Sequence, residues 1–275
     1  MKKIHFIYRI DTNNAGDNNC CPFFYFKEYF SNFFCLFHDI EYIDWSTISK
    51  DDCIILGGGG ILNVTNSFNI NINRCLEKCD NVIGWGVGFN THNSNWKVEN
   101  EYTQIKLNKF KFLKIRDFNH PSGISYCPCV SCLAPEFELA KASNHKEKRI
   151  LGVIEHKDLH LPNFSFDYPY DIIYNSDSLE NIIKFILDSR IILTNSYHIV
   201  YWAKLLGKPV VVLNAFSDKF KYYKNKPDLY LQFKEPTNIT KCVLELSKNK
   251  SNQDFSLLNE SKKNNQAYFG EIKKI

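Results

Sequence analysis

Residues 177–213 read DSLENIIKFILDSRIILTNSYHIVYWAKLLGKPVVVL, and this stretch decides the fold. Asp177 and Glu180 form a capping-box-like pair ahead of Leu179, Ile182, Ile183, Ile186 and Leu187, whose spacing predicts a helix with one apolar face. The run 190–193 reads as a buried strand. Thr194-Asn195-Ser196 supplies a loop and an N-cap, and a second helix is expected from 197 to 206. Gly207 stops it and Pro209 prevents a restart. The apolar run 210–213 follows at once. Such an αβαβ stretch belongs to an open sheet, in which ligands bind at the carboxyl ends of the strands.

The same alternation extends outward. Short β-rich runs occur at 4–8, 53–56, 81–83, 112–115 and 150–154, with helical stretches between several of them. This predicts an α/β protein with parallel sheets covered by helices. The polar segment 142–149 is the best linker, dividing the chain into 1–141 and 150–246, each near the usual domain size. Residues 247–275 are rich in Lys, Asn and Ser and read as a polar tail or a returning helix. No convincing internal repeat is visible.

Composition sets the outer limits. The 275 residues are 44% hydrophobic and 23% charged, which excludes disorder throughout, and 15% are aromatic, enough for a sizeable core. A net charge of +4 is far from the basic stripe of a nucleic-acid protein, so no nucleic-acid partner is expected. Abundant Asn, Lys, Ile, Phe and Tyr with a single Met is the bias of a low-GC genome and points to a bacterial source. No apolar run approaches the roughly 20 residues needed to span a bilayer. The opening residues imitate a signal peptide, but His5 and Arg9 interrupt the apolar run and no small-residue cleavage site follows. The first segment therefore reads as a strand, the location as cytoplasmic or at the inner face of the membrane, and the ten Cys as reduced thiols.

Several constellations carry chemistry. Asn14-Ala15-Gly16-Asp17 follows the first strand, where Gly16 admits close approach of a ligand and Asp17 is a candidate base toward a hydroxyl; the alternative is a surface turn capped by Asp17. Gly57-Gly58-Gly59-Gly60 exposes consecutive N–H groups suited to an anion or a sugar hydroxyl, or else makes a tight strand-to-helix crossing. Gly84-Trp85-Gly86-Val87-Gly88 is a second glycine-rich strand end, and Arg116-Asp117 closes the run 112–115. His198 falls in the first turn of a helix whose N-terminus faces the carboxyl edge of the sheet, a natural anion site, and Lys219 lies within reach of the same anion. Cys127, Cys129 and Cys132 fall short of a zinc pattern without a fourth ligand from Cys75, Cys79 or a distant His, and their segment is apolar enough to be core.

These pieces, in this order, resemble the polysaccharide pyruvyltransferase family. Asn14-Ala15-Gly16-Asp17 is similar to its N-x-G-D opening, residues 54–62 to its strand and GGGG turn, and 84–88 to its G-x-G-x-G strand. Ile115-Arg116-Asp117 resembles its R-D element, residues 194–209 its strand, histidine, helix and G-x-P block, and Lys219 a lysine that commonly follows. Two positions depart: Ser196 stands where the family often carries Arg, and Cys129 where it often carries Asp. The resemblance implies two Rossmann-like domains facing a central cleft, as in GT-B glycosyltransferases, with the acceptor on the side of 1–141 and the donor anion on the side of 150–246. It implies transfer of a pyruvyl group from phosphoenolpyruvate, a donor substrate, to a sugar or lipid-linked saccharide of capsule or cell-wall polysaccharide, with no cofactor and no metal and at most peripheral membrane contact. In that setting His198 is the expected acid or phosphate ligand and Asp17 the acceptor base. Asn14, Gly16, Gly58, Gly59, Gly60, Arg116, Asn195, Ser196 and Lys219 are the expected substrate-binding residues. Ser196 keeps a second reading open, a GT-B-type glycosyltransferase using a nucleotide-activated sugar, and a third is a non-catalytic carbohydrate-binding protein.

Overall fold

The computed structural model describes residues 3–10, 12–62, 67–90, 105–143, 146–161, 163–233, 235–248 and 254–273. The chain begins with β1 (Lys3–Tyr8), α1 (Ala15–Asn18), α2 (Lys27–Phe30), β2 (Phe34–Asp39), β3 (Cys53–Leu56), α3 (Ser67–Lys78), β4 (Asn81–Val87), β5 (Phe112–Ile115) and α4 (Pro135–Ala142). It continues with β6 (Arg149–Glu155), β7 (Phe164–Ser165), β8 (Tyr170–Tyr174), α5 (Leu179–Asp188), β9 (Ser189–Thr194), α6 (Tyr197–Leu205), β10 (Val210–Leu213), β11 (Leu229–Leu231), β12 (Thr237–Asn238), α7 (Thr240–Ser247) and α8 (Ser256–Ile272).

Two five-stranded sheets result, β2-β1-β3-β4-β5 and β8-β6-β9-β10-β11, and every pairing in them is parallel. With the strands of each sheet numbered among themselves in chain order, both sheets have the order 2-1-3-4-5. The halves thus repeat a topology that their residues do not repeat as sequence. This is the α/β class with parallel sheets expected from the alternation of elements. β3 and β10 are buried along their whole length, as strands covered on both faces must be.

Side-chain alternation builds the core. Phe6 and Ile55 enter a cluster that also holds Trp85, Phe137, Ile183 and Trp202, so both halves contribute to it. Ile7 and Ile54, one residue along, join Ile72 and Val82 in a second cluster. Leu151, Val153, Ile191 and Val211 form the third, in the second half. Helix α6 is apolar nearly all round, and every residue except Lys204 is buried, the signature of an internal helix.

Several local expectations are corrected. Asp177 and Glu180 do not cap α5: the Ser178 hydroxyl accepts from Asn181 N–H, while Asp177 accepts from Tyr174 N–H. The strand expected at 81–83 runs to Val87. Strands β2, β8 and β11, absent from the sequence reading, close the sheet edges. In the linker 142–149, Ala142 ends α4 and Arg149 begins β6, and Asn144 and His145 lie outside the described residues. Among the described residues no helix is long and apolar enough to cross a membrane.

The C-terminal segment holds a helix that returns to the first half. Asn265 on α8 is fully buried. It accepts from Trp85 Nε1 at 2.8 Å and donates to the Pro128 and Ser261 carbonyls at 3.2 and 3.1 Å. Tyr268 donates to the Gly84 carbonyl at 2.9 Å. Asn265→Ala orphans the buried Trp85 N–H and the Pro128 carbonyl. At roughly 1–3 kcal/mol for each unsatisfied group, the loss should be about 2–6 kcal/mol, measured by urea unfolding.

Candidate functional site

A cavity of about 480 Å³ lies where the carboxyl ends of strands from both sheets converge. Arg9 and Thr12 follow β1, Gly60 and Ile61 follow β3, Asn90 follows β4, and Arg116 follows β5. From the second sheet, residues 156–159 follow β6, Ser196 to His198 follow β9, and Phe216 and Lys219 follow β10. Of the residues expected from sequence, Asn14, Asp17, Gly60, Arg116, Ser196, His198 and Lys219 all line it.

The remaining expected residues serve beside the cavity. Gly16 lies in α1 against α6, where an added Cβ would collide with Nδ1 of His198. Gly58 donates its N–H to the Cys20 carbonyl at 3.1 Å, so this amide is spent inside the fold, and an added Cβ would press on the Cys20 side chain. Gly59 has φ +82°, a left-handed conformation that favours glycine, and its carbonyl accepts from Gly88 N–H. Asn195 reaches back to the loop after β6: its Oδ1 accepts from His156 N–H and its Nδ2 donates to the Leu159 carbonyl. Asn175, which the sequence reading passed over, accepts from Lys157 N–H through its side chain, while its carbonyl accepts from Ala15 N–H of the first half.

The first-half loop is built by Asn14, not Asp17. Asn14 caps α1, its Oδ1 accepting from Gly16 N–H at 2.9 Å. Asp17 is thereby left to face the cavity, with Thr12 Oγ1 donating to it at 3.4 Å. Burial pushes the Asp17 carboxyl above its ordinary range, against the pull of Lys219, Arg116 and Arg9.

Arg116 is the central cation. It is only 3% exposed, and its Nε has no hydrogen-bond partner among the described residues. Gly88 makes room for it, since a Cβ there would collide with Nε. Its guanidinium lies 3.8 Å from the centre of the Tyr197 ring. Asp117 beside it accepts from Phe89 N–H at 2.8 Å through Oδ2, while its Oδ1 has no hydrogen-bond partner among the described residues; burial raises its carboxyl to about 6, against the pull of Arg116. The Lys219 ammonium lies 4.5 Å from the Phe216 ring centre, and no salt bridge reaches it among the described residues. Burial, then Arg116, lowers its pKa to about 7, with Asp17 opposing. By contrast, Arg9 is paired with Glu41 at 2.6 Å and Lys157 with Asp158.

His198 occupies the first turn of α6 and is 6% exposed. Ser196 stands at the N-cap but makes no side-chain cap bond, so its hydroxyl does not satisfy the first N–H groups of the helix. Burial first, then Arg116 and Lys219, hold the His198 imidazole well below its ordinary range. The ring is therefore neutral near pH 7.

The sulfurs of the Cys127–Cys132 segment have separate partners. Cys127 and Cys132 meet Asn265 on α8, at 3.6 and 3.4 Å, and Cys129 lies 3.6 Å from His198 Nε2. Among the described residues no group of three His, Cys, Asp or Glu side chains is arranged to hold a metal ion.

The chain matches no family model and no curated protein. Among solved structures it is similar to a functionally uncharacterized protein from Klebsiella pneumoniae subsp. pneumoniae, with 17% identity and a TM-score of 0.45. That match covers 76% of this chain and 82% of the other.

Proposed function

We propose that this protein is a polysaccharide pyruvyltransferase-like enzyme, with Rossmann-like domains over 1–141 and 150–246 facing one another in the GT-B manner. It would transfer a pyruvyl group from phosphoenolpyruvate to a sugar, or lipid-linked saccharide, of a bacterial surface polysaccharide. The observation that carries the reading is Arg116, a buried cation whose Nε has no partner among the described residues, set in the same cavity as Lys219. A guanidinium so placed is costly until an anion joins it. Phosphoenolpyruvate supplies a carboxylate and a phosphate.

In this mechanism a general acid gives a proton to the methylene carbon of the donor, and a sugar hydroxyl attacks C2 and gives up its own proton. Phosphate then leaves with the C–O bonding pair and takes up the proton of the second hydroxyl, which closes the ketal. Arg116 and Lys219 neutralise the anion, which is gripped from both halves of the chain. Asp17, whose raised pKa suits a base, accepts the hydroxyl proton. The neutral state of His198 favours a role as hydrogen-bond donor to the phosphate over that of a charged acid. The glycosyltransferase reading keeps one support, Ser196, which brings no further cation to the cavity.

Thermal unfolding with phosphoenolpyruvate and with UDP-, GDP- and CMP-sugars tests the donor. At 100 times the dissociation constant, about 2.7 kcal/mol of stabilisation is expected, a shift of several degrees for a chain of this size. The expected result is a shift with phosphoenolpyruvate that weakens in His198→Ala. A shift with a nucleotide sugar alone overturns the donor.

A further inference from the structure

We propose that a buried relay, Trp202 to Ser131 to Cys129, places the His198 proton on Nδ1, making Cys129 a positioning residue for that ring. The direction of each bond follows from what each group is able to do. The indole Nε1 of Trp202 only donates, and it reaches Ser131 Oγ at 3.0 Å. Ser131, having accepted, turns its own hydrogen to Cys129 Sγ at 3.3 Å. The Cys129 thiol, having accepted, turns its hydrogen to His198 Nε2 at 3.6 Å. From the opposite element Arg116 Nη1, also only a donor, stands 3.4 Å from the same nitrogen.

Nε2 is therefore the lone-pair side of a neutral ring, and Nδ1 carries the hydrogen. Burial raises the Cys129 thiol, which keeps its proton for this bond. All three relay groups are at most 1% exposed, so water does not compete for them. Trp202 stands one helical turn after His198 on α6, with ring centres 5.6 Å apart, so helix geometry brings both ends of the relay to one place. The Nδ1 edge lies against Gly16, whose neighbours Asn14 and Asp17 reach the cavity. The tautomer assignment stands apart from the reaction; that Nδ1–H donates to a bound phosphate rests on the pyruvyltransfer reading.

The test is the imidazole nitrogen spectrum of the unliganded, ¹⁵N-histidine-labelled protein at pH 7, with His198 assigned by its loss in His198→Gln. The expected signal is a pyrrole-type Nδ1 and a pyridine-type Nε2. Cys129→Ser, whose hydroxyl donates in the same direction, should keep that pattern. Cys129→Asp, whose carboxylate accepts, should move the proton to Nε2. A wild-type ring protonated at Nε2, or charged, overturns the proposal, as does an Nδ1–H pattern that survives Cys129→Asp in folded protein. No ligand is present, so failure of phosphoenolpyruvate to bind leaves this result untouched.

Discussion

Replacing Arg116 by Met should abolish most anion affinity while leaving the fold as stable as before, or more so. The two effects have one cause. The guanidinium is confined by Gly88 and Gly60, leans on Tyr197, and has no carboxylate salt bridge among the described residues. A buried charge with no carboxylate salt bridge opposes folding unless its contacts with His198 and Tyr197 offset the desolvation, and a flexible apolar side chain of similar length fills the channel without that cost. Its bond to a bound anion is charge-assisted and made out of water, worth at least about 2 kcal/mol, or about 30-fold in affinity. Calorimetric titration with phosphoenolpyruvate and with inorganic phosphate reads the first effect, and thermal unfolding without ligand reads the second. Lost affinity with a lowered melting temperature would make Arg116 a packing residue. Retained affinity would move the anion site elsewhere. Arg116→Lys should not rescue, because a point charge on a thinner stem loses both the fork and the stacking on Tyr197.

The interior strands were legible in the sequence because burial on both faces leaves continuous apolar runs, as in Cys53–Leu56 and Val210–Leu213. Of the strands that escaped notice, β2, β8 and β11 are edges of the two large sheets, and the short β7 and β12 pair only with each other. In β2 the residues Phe34 and Phe37 are exposed and His38 is buried, and in β8 the alternation is blurred by partly exposed Tyr and Ile, so neither carries the period its position would suggest. Helix α8 was half legible. Its composition is polar, and the residue that seats it is Asn265, a hydrogen-bonding contact that no hydrophobic pattern announces.

The candidate site divides along a similar line. Residues that present a side chain at a strand end, such as Asp17, Arg116, His198 and Lys219, were legible from position and chemical type together, and they share one cavity. Gly58 and Asn195 are read from sequence as ligand groups; in the fold the Gly58 N–H bonds the Cys20 carbonyl and Asn195 holds the loop after β6. A glycine that lets a ligand approach and one that lets backbone approach look identical in sequence. The loop His156-Lys157-Asp158-Leu159 reads as an ordinary polar turn. Its only signal was position, since it follows a strand already expected at 150–154.

Affinity for phosphoenolpyruvate should fall as pH rises through about 7, and Lys219→Met should remove most of that dependence along with much of the affinity. Lys219 has a free-protein pKa lowered to about 7, so it is charged below that value and increasingly neutral above it. An anion binds the charged form, so binding takes up a proton, and the dissociation constant should rise up to tenfold per pH unit above 7 until the liganded pKa is reached. Asp17 and His198, in the same cavity, push the same way. Asp17, raised by burial, is partly neutralised sooner on acidification, which lessens its repulsion of the anion. His198, depressed by burial and by both cations, gains charge only on acidification. Phosphate esters lose their second charge below about pH 6, which opposes these gains and leaves a window of tightest binding near 6–7. Titration calorimetry in two buffers of different ionisation enthalpy measures the proton uptake directly. Uptake near zero at pH 7.5 would mean that Lys219 is already charged in the empty cavity, held so by Asp17, and the pair would then be a closed ion pair that an incoming anion must break.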